Sequence, residues 1–210
     1  RPVSWARGLA ELAKGRALAL YPPYFRPSER PWMDYSRPIL REKLVVFVRA
    51  EVARVLPEEQ FPQAYRGLRI GQNSGFINIR DPDYQSMLAK GEVRQIYSKD
   101  NRTSLAMLYR GRLDAYINDR RAVLWELERM QRDGVFGGNG LDWVVEGPWL
   151  SGEEGHLGYT RVNAAAYPYK KDFKQRLDAI LTDLERDGSI VRLSKRYDLV
   201  NPLLSQGGGI

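Results

Sequence analysis

"GRLDAYINDRRA", Gly111 to Ala122, is the stretch whose reading decides the fold. Leu113 to Ile117 reads as a strand that ends in Asn118 and Asp119, and cationic, helix-forming residues follow at once. The strand therefore hands over to a helix at Asp119. Two roles are open to a carboxylate there. It can cap the helix, accepting a backbone N–H, which contributes about 1 kcal/mol. It can also bind a ligand, because open α/β sheets hold ligands beyond the carboxyl ends of their parallel strands. Asp114 stands at the entry of the strand.

The pattern extends outward on both sides. "RRAVLWELERMQRDG" places Val123, Leu124, Leu127 and Met130 on one helical stripe. Upstream, "NRTSLAMLYRG" is a short helix with Leu105, Leu108 and Tyr109 inward and Gly111 as its stop. "VRQIYS" is a strand. "DPDYQSMLAKG" is a helix with a cap-like start and Gly91 as its stop, and "LRIGQ" is a strand behind Gly67. From Arg66 to Asp133 the chain alternates strand and helix three times, which argues for a parallel sheet covered by helices.

The flanks are less regular. "KLVVFVRAE" is a strand whose apolar run, Leu44 to Val48, expects burial on both faces. "SWARGLAELAKG" is helical with Leu9 and Leu12 on one face and Gly15 as its stop, and "ALALY" is a short strand. Prolines 22, 23, 27, 31 and 38 exclude a long regular element and leave an aromatic-rich loop, readable as a binding surface or as core. "GVFGGNGLDWVVEGPWLSGEEGH" reads as irregular chain around one strand, "DWVVE". "KDFKQRLDAILTDLERDG" is an amphipathic helix with the stripe Phe173, Leu177, Ile180, Leu181 and Leu184. "SIVRLSKRYD" is a last short helix, and the chain closes with "LLSQGGGI".

Composition narrows the chemistry. The 210 residues are 43% hydrophobic and 28% charged, as in an ordinary globular protein. No apolar run approaches the roughly 20 residues of a membrane-spanning helix. With no cysteine, disulfides and thiolate metal sites are excluded. His156 is the only histidine, and no G-x-S-x-G elbow accompanies it. No cofactor is implied. The net charge of +7 is spread among acidic residues with no nucleic-acid-binding signature, so a solvated basic surface is the reading and a nucleic-acid partner is not expected.

Several segments, in order, resemble the bacterial extracellular solute-binding proteins of the amino-acid type (family 3). "SERPWMDYSRPIL" is similar to T-x-E-R … F-S-x-P-Y, and "YRGLRIGQNSGF" to L-x-G-K-x-V-G-V-x-x-G-T. "LYRGRLDAYINDR" is similar to L-x-x-G-R-x-D-A-x-x-x-D, the most specific of the set. "LDAILTDLERDGSIVRLSKRYD" resembles the family's closing segment. The resemblance implies the type 2 periplasmic-binding fold: α/β, with two lobes, each a mostly parallel sheet flanked by helices, and a ligand cleft between them. Lobe one takes 1–52 plus 156–210, lobe two takes 53–155, and the crossing strands lie near "VFVRAE" and "HLGYTRV". Family members begin with a strand and a helix ahead of the point where this chain starts, so lobe one is expected to be incomplete at its N-terminus.

The resemblance also assigns site residues. Asp119 aligns with the carboxylate that holds a ligand's ammonium. Arg30 aligns with the arginine that clamps a carboxylate through two parallel hydrogen bonds. The spacing from Arg30 to Ser36 is one residue short of the family pattern, which makes Arg26 a rival. Ser74, Gly75 and Phe76 stand where the family has Gly-Thr; Phe76 and Ile77 supply no hydroxyl, and Asn73 and Ser74 are the substitute donors. Tyr21, Tyr24, Phe25 and Trp32 are candidates to wall the ligand.

The leading reading is therefore a non-enzymatic, periplasmic or extracellular receptor. It would take a small polar solute, an amino acid or similar, by hinge closure and hand it to an ABC-transporter permease. One rival is a sensory or partner-binding domain that has lost the solute. Another is a dehydratase of a prephenate-like acid, for which Asp119, Glu29 and His156 are the available acids and bases.

Overall fold

The computed structural model describes residues 3–57, 60–76, 79–138 and 140–198. Ile77 and the closing tail lie outside the described residues. The elements in chain order begin with α1 (Trp5–Ala13), β1 (Ala19–Leu20), β2 (Met33–Tyr35), β3 (Leu40–Arg49) and α2 (Ala50–Ala53). Then come β4 (Arg69–Asn73), α3 (Pro82–Ala89), β5 (Arg94–Ser98), α4 (Asn101–Tyr109), β6 (Ala115–Asp119) and α5 (Arg120–Arg132). The chain continues through β7 (Val144–Gly155), β8 (Gly158–Thr160), α6 (Lys170–Arg186) and α7 (Ser189–Asp198). Among the described residues no helix is long and apolar enough to cross a membrane.

The chain forms two compact units. Unit 1 takes in the chain up to Glu42 and again from Gly152, and unit 2 runs from Lys43 to Ser151. The boundaries fall inside β3 and inside β7, so these two strands carry the chain from one unit to the other.

Unit 2 is built on the five-stranded sheet, ordered β5-β4-β6-β3-β7. β4 runs parallel to both β5 and β6, as the strand–helix alternation requires. β3 is antiparallel to β6, with Leu44 opposite Asp119 and Val48 opposite Ala115. Alternate residues of β3 enter two different cores. Val45 and Phe47 join Leu105, Leu108, Val123, Leu127 and Met130 on one face. Leu44, Val46 and Val48 join Ile70, Tyr84, Ala115 and Ile117 on the other. None of these five β3 side chains is more than 2% exposed. Burying each contributes roughly 1.5–3 kcal/mol, so this strand anchors the unit.

The helices of unit 2 end where their capping residues say they should. Asp81, Asp100 and Asp119 cap α3, α4 and α5, accepting the N–H of Tyr84, Thr103 and Ala122. Asp114 is framework. Its carboxylate takes a bidentate pair from Arg69, Nε at 2.9 Å and Nη2 at 2.7 Å, and also the Arg69 backbone N–H at 2.8 Å.

Three sequence expectations need correction. β7 extends from Val144 to Gly155 and takes in "GPWLSGEEG", which reads as irregular chain. It is an edge strand, and an edge is where a sheet tolerates proline and glycine. The sheet of unit 1, ordered β1-β8-β2, is antiparallel throughout rather than mostly parallel. Parallel neighbours need a crossover, usually a helix, and the proline-rich loop between β1 and β2 holds none. Finally, of the stripe on α6 only Leu181 is fully buried, while Phe173 and Ile180 are 43% and 55% exposed. Strands of two or three residues offer too little area to cover a 17-residue helix.

Unit 1 is held as much by charge as by core. Asp34 of β2 receives Arg161 Nε at 2.6 Å and Lys170 Nζ at 2.9 Å, joining β2, the end of β8 and α6. Burial opposes that carboxylate, but the two cations outweigh it and hold its pKa below the ordinary value.

Candidate functional site

In unit 2 the functional candidates collect at the carboxyl ends of β4 and β6. Asp119 ends β6 and is 6% exposed. Its Oδ1 accepts the Ala122 N–H at 2.9 Å and its Oδ2 accepts the Lys43 N–H at 3.2 Å. The cap is therefore real, and it is doubled by β3. Burial pushes the Asp119 pKa up, against the pull of these N–H groups and of Arg121. The Arg121 backbone N–H is a third donor to this carboxylate. An ionised carboxylate has about four acceptor positions, so one remains.

Ser74, Gly75 and Phe76 form the tight turn that follows β4. The Phe76 N–H donates to Asn73 O at 3.1 Å, and the Ser74 N–H to Ser98 O at 2.8 Å. Gly75 has a φ of 82°, the left-handed conformation that a type II turn needs at its third residue. Gln72 Nε2 braces the turn from below, donating to Phe76 O at 3.0 Å. The side chain of Phe76 is half-buried and supplies no hydrogen-bonding group.

Asn73 does not replace the missing hydroxyl. It is 3% exposed, and its amide belongs to an internal network that the sequence reading missed. Asn73 Nδ2 donates to Asn101 Oδ1 at 2.6 Å, and Asn118 Nδ2 donates to the same oxygen at 2.8 Å. The Tyr116 hydroxyl lies 3.0 Å from both Asn73 Oδ1 and Asn101 Oδ1. Ser98 and Ser104 share a 2.6 Å hydroxyl contact beside them. Burial drives the Tyr116 pKa far up, so the hydroxyl stays protonated. The available signal was the run of polar residues, Gln72-Asn73 and Asn118-Asp119, ending two strands that are otherwise apolar.

In unit 1, Arg30 is 5% exposed. Its Nη1 donates weakly to Tyr24 O at 3.4 Å, and its guanidinium carbon lies 5.7 Å from the Trp5 ring centroid. Burial lowers its pKa, partly offset by Tyr35. Arg26, the rival, lines an open pocket of about 540 Å³ with Phe25, Arg41, Glu42, Gly152, Glu153 and Glu154. Arg26 Nη2 stands 2.8 Å from Glu153 Oε2, close enough to pair but not aligned as a hydrogen bond.

The aromatic candidates of unit 1 differ in setting. Tyr24 donates its hydroxyl to Glu42 Oε2 at 2.5 Å and carries Arg26 over its ring. Tyr21 is 48% exposed, and Trp32 is half-buried. His156 is buried beside Phe25 and Tyr35 with Nδ1 2.8 Å from Ser36 O. Among the described residues no hydroxyl or carboxylate side chain hydrogen-bonds to it, so it has no triad partner. Nor does any group of three or more His, Asp or Glu among them form a metal site.

No family model matches the chain, and no curated protein matches it in sequence. Solved structures do. An ancestral arginine-binding protein bound to arginine is similar over 94% of this chain and 78% of its own, at 13% identity and a TM-score of 0.69. AbpA, an amino-acid ABC transporter substrate-binding protein from Streptococcus pneumoniae bound to L-arginine, is similar over 94% and 74%, at 16% identity and a TM-score of 0.64. A histidine kinase sensor domain with similarity to periplasmic binding proteins covers 92% and 75%, at 14% identity and a TM-score of 0.65. Likeness at such identities speaks to architecture: the chain has the fold of the amino-acid ABC transporter substrate-binding proteins.

Proposed function

We propose that this protein binds a small zwitterionic solute, an amino acid or a close relative. The observation that carries the reading is Asp119: a buried carboxylate at the carboxyl end of a parallel strand, fixed by three backbone N–H groups with an acceptor position to spare. It takes the ligand's ammonium. Unit 1 supplies the cation for the carboxylate, Arg30 by its place in the sequence pattern and Arg26 by its place in a pocket. The Ser74–Phe76 turn contributes backbone groups, and Tyr24, Trp32 and Tyr21 contribute apolar wall. In this reading the protein works outside the cytoplasm, closes on its solute by a hinge, and delivers it to an ABC-type permease.

A second reading is a sensory domain. It is favoured by the likeness to a histidine kinase sensor domain and by Phe76 in place of a hydroxyl residue. The two readings part on the solute: the sensory or partner-binding domain has lost it, and the receptor keeps it.

Thermal unfolding in the presence of each of the common L-amino acids tests the proposal. A ligand at 100 times its dissociation constant stabilises a folded protein by about 2.7 kcal/mol. At least one amino acid should raise the melting temperature by several degrees. A well-folded chain whose melting temperature responds to none of them contradicts the reading.

A further inference from the structure

Asn101 is the residue on which the polar network of unit 2 closes, and its amide orientation is fixed by chemistry. The Asp119 backbone N–H donates to Asn118 Oδ1 at 2.9 Å. A backbone N–H can only donate, so the other end of the Asn118 amide is its NH2. That NH2 meets Asn101 2.8 Å away, and the atom it meets must accept. The inward atom of Asn101 is therefore oxygen. It also receives Asn73 Nδ2 at 2.6 Å and faces the Tyr116 hydroxyl at 3.0 Å. The NH2 of Asn101 is left pointing out of the network.

The other amides of the cluster are used internally. Asn73 and Asn118 donate to Asn101, and Gln72 donates to Phe76 O. The NH2 of half-buried Asn101 meets no acceptor among the described residues. Asn101 opens α4, directly beyond β5. One side chain, Asn118, fixes both it and the backbone of Asp119.

From this we infer that Asn101 is a ligand-contacting residue, its locked NH2 donating to a carboxylate or carbonyl oxygen of the solute. The inference rests on the solute-binding reading above and sharpens its substrate class. Unit 2 then offers a fixed donor on Asn101 and a fixed acceptor on Asp119, both beyond the carboxyl ends of its parallel strands, and Asn101 supplies the side-chain donor that Phe76 cannot. Such a pair selects solutes that carry both an ammonium and an oxygen acceptor over plain amines.

Asn101→Asp is the discriminating variant. A carboxylate still accepts from Asn73, Asn118 and Tyr116, and an acidic residue suits the first turn of a helix. Only the outward group changes, from donor to anion. Calorimetric titration should use whichever of the common L-amino acids binds the wild type best. Affinity should fall by about tenfold or more, the size of a hydrogen bond to a charged group, with the melting temperature little changed. In ¹⁵N-labelled wild-type protein the Asn101 NH2 resonances should shift on saturation, a reading that needs no variant. Wild-type affinity in Asn101→Asp, or NH2 resonances that stay put, overturns the inference. If Asp119→Asn weakens binding while Asn101→Asp does not, this inference alone fails. If the wild type binds none of the common L-amino acids, the solute reading fails with it.

Discussion

The Lys43 backbone N–H donates to Asp119 Oδ2 at 3.2 Å, one residue before the Leu44–Asp119 pair of the β3–β6 ladder. The carboxylate proposed to hold a ligand is thus tied to the best-buried strand of unit 2 and to the start of α5. Asp119→Asn keeps an oxygen for Ala122 but turns its NH2 toward the Lys43 N–H. The variant should lose about 1–2 kcal/mol of stability for one buried N–H without an acceptor. Chemical denaturation measures this, and an unchanged midpoint counts against the doubled cap.

Asp114 and Asp119 should titrate in opposite senses. Burial raises the pKa of each. For Asp114, hydrogen bonds from Arg69, then the Arg69 and Arg49 charges, outweigh burial and hold it below the ordinary 3.8. Its contribution is full above that value and is lost as pH falls through the lower, folded pKa. Asp119 stays raised, so its contribution is greatest at low pH and declines as pH rises from 3.8 through the folded pKa. Asp114→Asn should flatten the acid limb of the stability curve below about pH 4. Asp119→Asn should flatten the curve above that pH. Midpoints of urea unfolding across the acid range distinguish the two.

Gly71 of β4 lies against Leu113 and Tyr116, where an added Cβ would stand 2.5 Å from Leu113 Cδ1 and 3.3 Å from the Tyr116 ring. Gly71→Ala should cost about 1–3 kcal/mol through overpacking. Because Tyr116 carries the Asn73 and Asn101 contacts, the variant should also loosen the network, seen as faster side-chain amide exchange of Asn118. Unchanged stability would show that Leu113 yields freely.

Arg30 is buried, with a long hydrogen bond to Tyr24 O and a further partner in the Tyr35 hydroxyl. Arg30→Met keeps the apolar stem and removes a charge whose burial is unfavourable. Stability should change by less than about 1.5 kcal/mol. A tenfold or greater loss of solute affinity marks Arg30 as the carboxylate clamp. Retained affinity, with loss instead in Arg26→Gln, transfers that role to the pocket of unit 1.

Much of unit 2 was legible in the sequence because its signals are local. Val123, Leu124, Leu127 and Met130 share one helical face and are all buried. Asp119 sits at a strand-to-helix junction, and it caps that helix. β7 was hidden because Gly147, Pro148 and Gly152 look like breakers, and only its place at the edge of the sheet makes them tolerable. On α6 the periodicity of Phe173 and Ile180 gave a face but not a partner, and burial depends on the partner. The Asn73–Asn101–Asn118 network was invisible for the same reason. Polar residues in a strand read as a solvent face until the fold brings three strand ends and a helix start together.

Calorimetric titration of the wild-type chain and of Asp119→Asn with an L-amino-acid panel tests the central claim most directly. The account predicts one-to-one binding of at least one amino acid by the wild type and a loss of about tenfold or more in the folded variant, as expected for a charge-assisted contact. A folded wild type that binds no member of the panel, or a variant that binds as tightly as the wild type, would contradict it.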